Sequence, residues 1–283
     1  MPKSYTIGRY TILLPPDHPL DRYQKTWQRY DTALGYIAQT VAQKYTDLTA
    51  IDIGANVGDS AALIRSFADI SVLCIEGNPE FLEYLEHNAA TIGNIEIATC
   101  FIGEDGKVVD LEQIISERGT ASITASASPE PPFWFVEMHS LNAILQLYPQ
   151  FQPAKLLKID TDGFDFSIIR SSSQVLSKLQ PVLHFEYDIS FSPQGDLESL
   201  AAIQTLVEVG YQSFIVYDNF GNYVMSLSSD IIPAFRDLNT CLLSNQRKSG
   251  TPSIYYFDIC AFTVQDTDLF EQIRTLEYEF VRA

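Results

Sequence analysis

From residue 48 onward, short apolar runs alternate with longer stretches in which apolar residues recur every three or four positions. The short runs lie at 48–53, 71–76, 95–101, 155–160, 181–187, 211–217 and 253–262 and read as strands. The periodic stretches lie at about 57–67, 79–91, 140–147, 164–178, 197–209, 229–243 and 267–280 and read as helices. Strands and helices in alternation predict an α/β sheet with helices on both faces. The first strands are apolar throughout, as expected where both faces are covered. The run at 253–262 is long and aromatic and suits an antiparallel strand of a mixed sheet.

Ahead of this pattern, residues 5–14 read as a strand that ends at Pro15-Pro16, and a helical pattern follows from about Leu20 to Lys44. Tyr23, Trp27, Tyr30, Leu34 and Ile37 are spaced by 4, 3, 4 and 3, so they share one helix face. That face either packs on the main domain or lines a substrate mouth. The chain therefore divides into an N-terminal extension, 1–47, packing on a main domain, 48–283. The segment 103–134 breaks the rhythm with Gly119-Thr120-Ala121-Ser122 and Pro129-Glu130-Pro131-Pro132. It reads as a long loop, either a lid or a surface excursion.

Composition narrows the function. The chain has 283 residues, 46% of them apolar, enough for one large domain with an extension. No run reaches the roughly 18 apolar residues of a membrane span, and Met1-Pro2-Lys3-Ser4-Tyr5 lacks a signal peptide's apolar stretch. Cys74, Cys100, Cys241 and Cys260 are scattered, which suits reduced thiols in the cytoplasm. The net charge of −18 disfavours nucleic acid, whose phosphates call for Lys and Arg clusters. A neutral polar partner, such as a sugar or small metabolite, fits better. Oligomeric state is left open.

Two motifs carry chemistry. In Ala50-Ile51-Asp52-Ile53-Gly54-Ala55-Asn56-Val57-Gly58-Asp59-Ser60, a strand ends in an acid and turns through glycines into a helix. Backbone NH groups at such a turn approach a ligand closely. A dinucleotide fingerprint would place glycine where Asn56 and Asp59 stand. Asp52 suits a ligand carrying an ammonium group, as the methionine part of S-adenosylmethionine does. Twenty-four residues later, Val72-Leu73-Cys74-Ile75 ends in Glu76, placed to hold ribose hydroxyls. Asp59, Ser60, Gly77 and Asn78 flank these acids and join the cofactor candidates. Glu104, after the third strand, is placed either to accept from the adenine amino group or to form an ordinary turn. The second motif, Leu156-Leu157-Lys158-Ile159-Asp160-Thr161-Asp162-Gly163, ends another strand in two acids beside the first. On the next strand His184, Glu186 and Asp188 share one side by the period-two rule.

Together Asp52-Ile53-Gly54-Ala55-Asn56-Val57-Gly58, Glu76-Gly77-Asn78-Pro79 and Leu157-Lys158-Ile159-Asp160-Thr161-Asp162-Gly163 resemble the FkbM family of S-adenosylmethionine-dependent methyltransferases. The likeness spans roughly residues 48–190. It implies a class I methyltransferase (Rossmann-like) fold with a seven-stranded mixed sheet. It implies methyl transfer to a hydroxyl of a sugar, glycan or small metabolite. It also places Asp52, Gly54, Asn56 and Gly58 at the methionine portion, Glu76 at the ribose and Asp160 at the strand-four acid. The family usually has Glu where this chain has Asp162 and Asp165.

A hydroxyl acceptor needs a base within hydrogen-bond reach of its proton. Asp160 and Asp162 are the first candidates and His184 the third. Mg²⁺ held by Asp160, Asp162 and Glu186 is a less favoured route. His18, in a proline-bounded turn, and Glu186 are candidates for the acceptor site. The rival readings are an N-methyltransferase and a noncatalytic cofactor-binding module.

Overall fold

The computed structural model describes residues 1–103, 105–106, 108–110, 114–117, 120–123, 135–246, 253–280 and 282. The chain opens with β1 (Lys3–Ile7) and β2 (Tyr10–Leu14), paired antiparallel. The single strand expected over 5–14 is thus a hairpin. It turns at Gly8, whose φ of +54° and contact with Ser66 leave no room for a side chain. The helix expected over 20–44 is two helices, α1 (Leu20–Thr26) and α2 (Thr32–Lys44). They part at 27–31, where Asp31 takes a left-handed φ of 58° and the continuous helical ladder is lost.

The alternating core follows: β3 (Thr49–Ile53), α3 (Asp59–Phe67), β4 (Ser71–Glu76), α4 (Pro79–Ile92) and β5 (Ile95–Thr99). An excursion then holds short strands β6 (Phe101–Ile102), β7 (Val108–Asp110), β8 (Ile114–Glu117), β9 (Thr120–Ile123) and β10 (Phe135–His139). The chain returns through α5 (Leu141–Leu147), β11 (Leu156–Ile159), α6 (Asp165–Ser171), α7 (Ser173–Leu179) and β12 (Val182–Tyr187). It closes with α8 (Gly195–Glu208), β13 (Tyr211–Asp218), β14 (Tyr223–Leu227), α9 (Ile231–Gln246), β15 (Phe257–Thr263) and α10 (Thr267–Phe280).

The main sheet runs β14-β13-β15-β12-β11-β3-β4-β5. Its centre, β12-β11-β3-β4-β5, is parallel, and β15 inserts antiparallel between β12 and β13. This is the class I methyltransferase order with one strand more than the expected seven. The addition, β14, folds back on β13 as an antiparallel edge strand. On one face Ile53, Leu157 and Phe185 pack under α5, α6, α8 and α9. Each fully buried side chain of this size contributes about 1.5–3 kcal/mol. On the other face Ala50, Leu156 and Val182 pack under α2, α3 and α10, together with Ile12 and Leu14 of the hairpin. The extension is therefore built into the second core.

Strand parity gives that second face a polar row above its apolar floor. Asp52, Lys158, His184 and Cys260 stand at matching register on β3, β11, β12 and β15. One step further toward the open end, Glu186 on β12 faces Asp258 on β15.

Candidate active site

The turn after β3 is shaped by close backbone approach. Gly54 has φ +76°, and a Cβ there would lie 1.8 Å from the carbonyl oxygen of Asp160. Only glycine lets the two strand ends meet. Below the turn, the buried Asn88 of α4 donates from Nδ2 to the carbonyls of Val57 (2.8 Å) and Leu13 (2.9 Å). Its Oδ1 accepts from the amide of Leu13 at 2.7 Å. One side chain thus pins the glycine turn to the hairpin. Glu76 ties the turn to the next loop. Its Oε2 accepts from Asn56 N at 2.8 Å, and its Oε1 from Gly77 N at 2.9 Å and Asn78 N at 2.7 Å. Burial raises the Glu76 carboxyl above its ordinary range, while these three amides pull it back. A carboxylate has about four lone-pair directions, so one stays open to a ligand hydroxyl.

A cleft of about 620 Å³ opens at this point. Asn56, Glu76 and Asn78 form its polar end, and Phe81, Phe101 and Met138 its apolar walls. The shape suits a nucleoside, with sugar at the acid and base between the apolar side chains. Gly77 makes the approach possible, because a Cβ there would lie 2.6 Å from the Phe101 ring.

Behind the turn sits a lysine that sequence reasoning left unassigned. The Lys158 Nζ lies 3.2 Å from Asp52 Oδ1 and 3.2 Å from Asp160 Oδ2. Asp52 is fully buried and lines neither this cleft nor the chamber beside it. Sequence reasoning places its carboxylate toward a ligand ammonium, directly or through a water. Its partner is Lys158, and it reaches the site through that residue. Burial pushes Asp52 up to about 6, with Lys158 pulling the other way. Burial also works against the charge on Lys158, but Asp160 and Asp52 hold its ammonium well above the ordinary lysine value. Burial and the adjacent Lys158 push His184 down to about 4, so its imidazole is neutral at pH 7. Asp165 Oδ2 accepts from Thr161 Oγ1 at 3.1 Å, bracing the turn that carries Asp160 and Asp162. Burial and Asp160 push Asp165 up to about 7.

A second cavity, about 1320 Å³ with its mouth, adjoins the cleft. Gly54, Asn56, Asp160 and Asp162 line both. Asp59 and Ser60, expected at the cofactor, line this second chamber, as do His18, His184 and Glu186. His18 is buried, and its Nδ1 accepts from the amide of Leu20 at 3.4 Å. The extension also contributes Tyr23, Tyr30 and Asp31, and β15 with the residues before it contributes Tyr255, Tyr256 and Asp258. Of these six, Tyr23 and Tyr30 lie on the helix face read as either packing or lining a substrate mouth, and the other four were not anticipated as site residues. The aromatic periodicity of 23–37 was the available signal for the first two. Glu104 lies outside the described residues, as does most of the segment read as a lid or excursion. Among the described residues no group of three or more His, Cys, Asp or Glu side chains is arranged to hold a metal ion.

A class I sheet with a glycine turn, an acid-tipped second strand and paired cavities defines an S-adenosylmethionine-dependent methyltransferase. The family description "Methyltransferase FkbM domain" matches residues 52–213, and the chain belongs to that family. No curated protein matches the chain. Among solved structures it is similar to the methyltransferase FkbM from Methylobacillus flagellatus KT, with 13% identity over 86% of this chain and 59% of that one, at a TM-score of 0.45. It is also similar to an O-methyltransferase from Bacillus cereus in complex with SAH (12% identity, 86% and 88% covered, TM-score 0.40). A third is precorrin-6Y C5,15-methyltransferase from Geobacter metallireducens GS-15 (13% identity, 81% and 87% covered, TM-score 0.40).

Proposed function

We propose that this methyltransferase transfers its methyl group to a hydroxyl of a small polar acceptor held in the second chamber. One observation carries the reading: Asp160 and Asp162 stand at the junction of a nucleoside-shaped cleft and a larger polar chamber. The residues present fit S-adenosylmethionine. Glu76 keeps an open lone pair for ribose, Gly54 and Gly77 leave close backbone approaches, and Asn56 stands at the junction toward which the methionine end would extend. When bound, this cofactor supplies a methyl carbon on a sulfonium, which an oxygen nucleophile displaces.

The chain's own residues do the rest. Asp160 is half-exposed, with Lys158 beside one oxygen, so it is accessible to an acceptor. It accepts the acceptor's hydroxyl proton as the new carbon–oxygen bond forms. Lys158 holds the carboxylate in place and is in turn fixed by Asp52. Asp162 orients the acceptor at the same junction. His184, neutral and pushed down to about 4, is a poor proton acceptor and serves as a hydrogen-bonding wall. His18 and Glu186 belong to the acceptor side. The acidic lining supports a small molecule over a polyphosphate, because like charges repel at close range. Buried Cys74, Cys100 and Cys260 support the cytoplasm as the compartment.

Calorimetric titration with S-adenosylhomocysteine tests the cofactor half, and radiolabelled methyl transfer to small hydroxylated acceptors tests the rest. We expect saturable binding of the nucleoside, weakened about tenfold or more in Glu76→Gln. Asp160→Asn should keep that binding and lose about 10²–10⁴-fold in kcat. A protein that binds no S-adenosylhomocysteine would refute the site assignment, and full turnover in Asp160→Asn would remove the proposed base.

A further inference from the structure

Among the described residues, seven carboxylates and a single lysine line the second chamber. That lysine is already engaged by Asp52 and Asp160. Asp31, Glu186, Asp188 and Asp258 line this chamber and not the cofactor cleft. Two of them face each other directly: Glu186 on β12 is the cross-strand partner of Asp258 on β15. Like charges in that relation destabilise a sheet unless something stands between them. The Oε2 of Glu186 is closed to solvent and accepts no hydrogen bond from the protein. His18, only 7% exposed, packs beside Asn56 at the edge of the same chamber. The remaining walls are aromatic, with Tyr255 and Tyr256 at 5.0 Å and Tyr23 and Tyr30 at 5.4 Å between ring centroids.

We propose that the acceptor is an aminated polyol, an amino sugar or aminocyclitol, whose ammonium group is anchored between Glu186, Asp258 and Asp31. This rests on the acceptor-chamber reading given above and names its substrate class. A cation between the facing carboxylates relieves their repulsion. Tyrosine rings add the electron-rich faces that cations favour. Burial beside other acids holds Glu186 and Asp258 well above the ordinary carboxylate range, and an ammonium between them would pull both back down. The ammonium is an anchor and not the nucleophile, since a protonated nitrogen has no lone pair to attack with. The methylated group is then a neighbouring hydroxyl turned toward Asp160.

The test uses the intact protein, with and without saturating S-adenosylhomocysteine. The probes are glucosamine, galactosamine and 2-deoxystreptamine, each beside its N-acetylated form, with MgCl2 as a separate arm. Melting temperature and calorimetry report binding. We expect the free amines to bind at least about tenfold more tightly than their acetylated forms. We expect the preference to vanish in Glu186→Gln/Asp258→Asn while the affinity for S-adenosylhomocysteine is retained. Equal or better binding of the acetylated forms overturns the proposal. So does an undiminished amine preference in the double variant, or stabilisation by MgCl2 with none by any amine. Failure of every amine to bind protein that does bind S-adenosylhomocysteine also overturns it. Failure of S-adenosylhomocysteine to bind counts against the cofactor site instead, and the arm without it still decides the anchor.

Discussion

At the scale of single residues, the site depends on positions where only one side chain fits. Gly54→Ala would combine a strained φ of +76° with a Cβ driven into the Asp160 carbonyl. We expect it to cost about 3 kcal/mol or more and to abolish S-adenosylhomocysteine binding, as read by chemical denaturation and calorimetry. Retained binding at wild-type strength would show that the strand ends need not touch. The sharp turn at Gly54 was legible in the sequence, because a glycine after a strand marks a close backbone bend. Glu76 was legible as the acid that ends β4. The pairing of Asp52 with Lys158 was not legible, because no spacing rule shows that an interior lysine will fold back on an acid. Lys158 was in plain view in an apolar strand, two residues before an acid, where a buried cation calls for partners. Asp31 and Asp258 were not legible, since what makes them site residues is convergence from distant parts of the chain.

At the scale of elements, the long periodic segments were read well and the breaks were not. The parallel strands and the helices between them follow directly from apolar runs and 3.6-residue periodicity. The hairpin at Gly8, the break at 27–31 and the extra strand β14 depend on single residues entering left-handed or bulged backbone. Such local turns leave the hydrophobic pattern almost untouched. What joins the elements is often one polar side chain. Asn88 satisfies three backbone groups in two segments, so Asn88→Ala strands them in a buried place. We expect a loss of about 2–4 kcal/mol by denaturation and weaker cofactor binding, because the glycine turn loses its lower support. A change within about 0.5 kcal/mol would mean that the hairpin docks through its apolar side chains alone.

At the scale of the whole molecule, the protein gathers acids in one buried place and accepts the consequence for stability. Burial pushes Asp31 up to about 8 and Asp165 up to about 7, each beside Asp160. A carboxyl raised in the folded state favours folding while protonated, and that advantage fades as pH rises through the raised value. His184, pushed down to about 4, acts oppositely between about 4 and its ordinary 6.5, and contributes no slope above that. The ligand-free protein should therefore lose melting temperature, by several degrees, between pH 6.5 and 8.5. Asp31→Asn, which tolerates the same left-handed backbone, should flatten that slope. A melting temperature that rises over this interval would contradict the sign. The chamber's walls also have an unusual genealogy along the chain. One side is supplied by residues 18–34 and another by residues 255–258, whereas the nucleoside cleft is complete by residue 168. Under the proposed division of roles, substitutions at 18–34 or 255–258 retune the choice of acceptor while leaving the lining of the first cleft as it is.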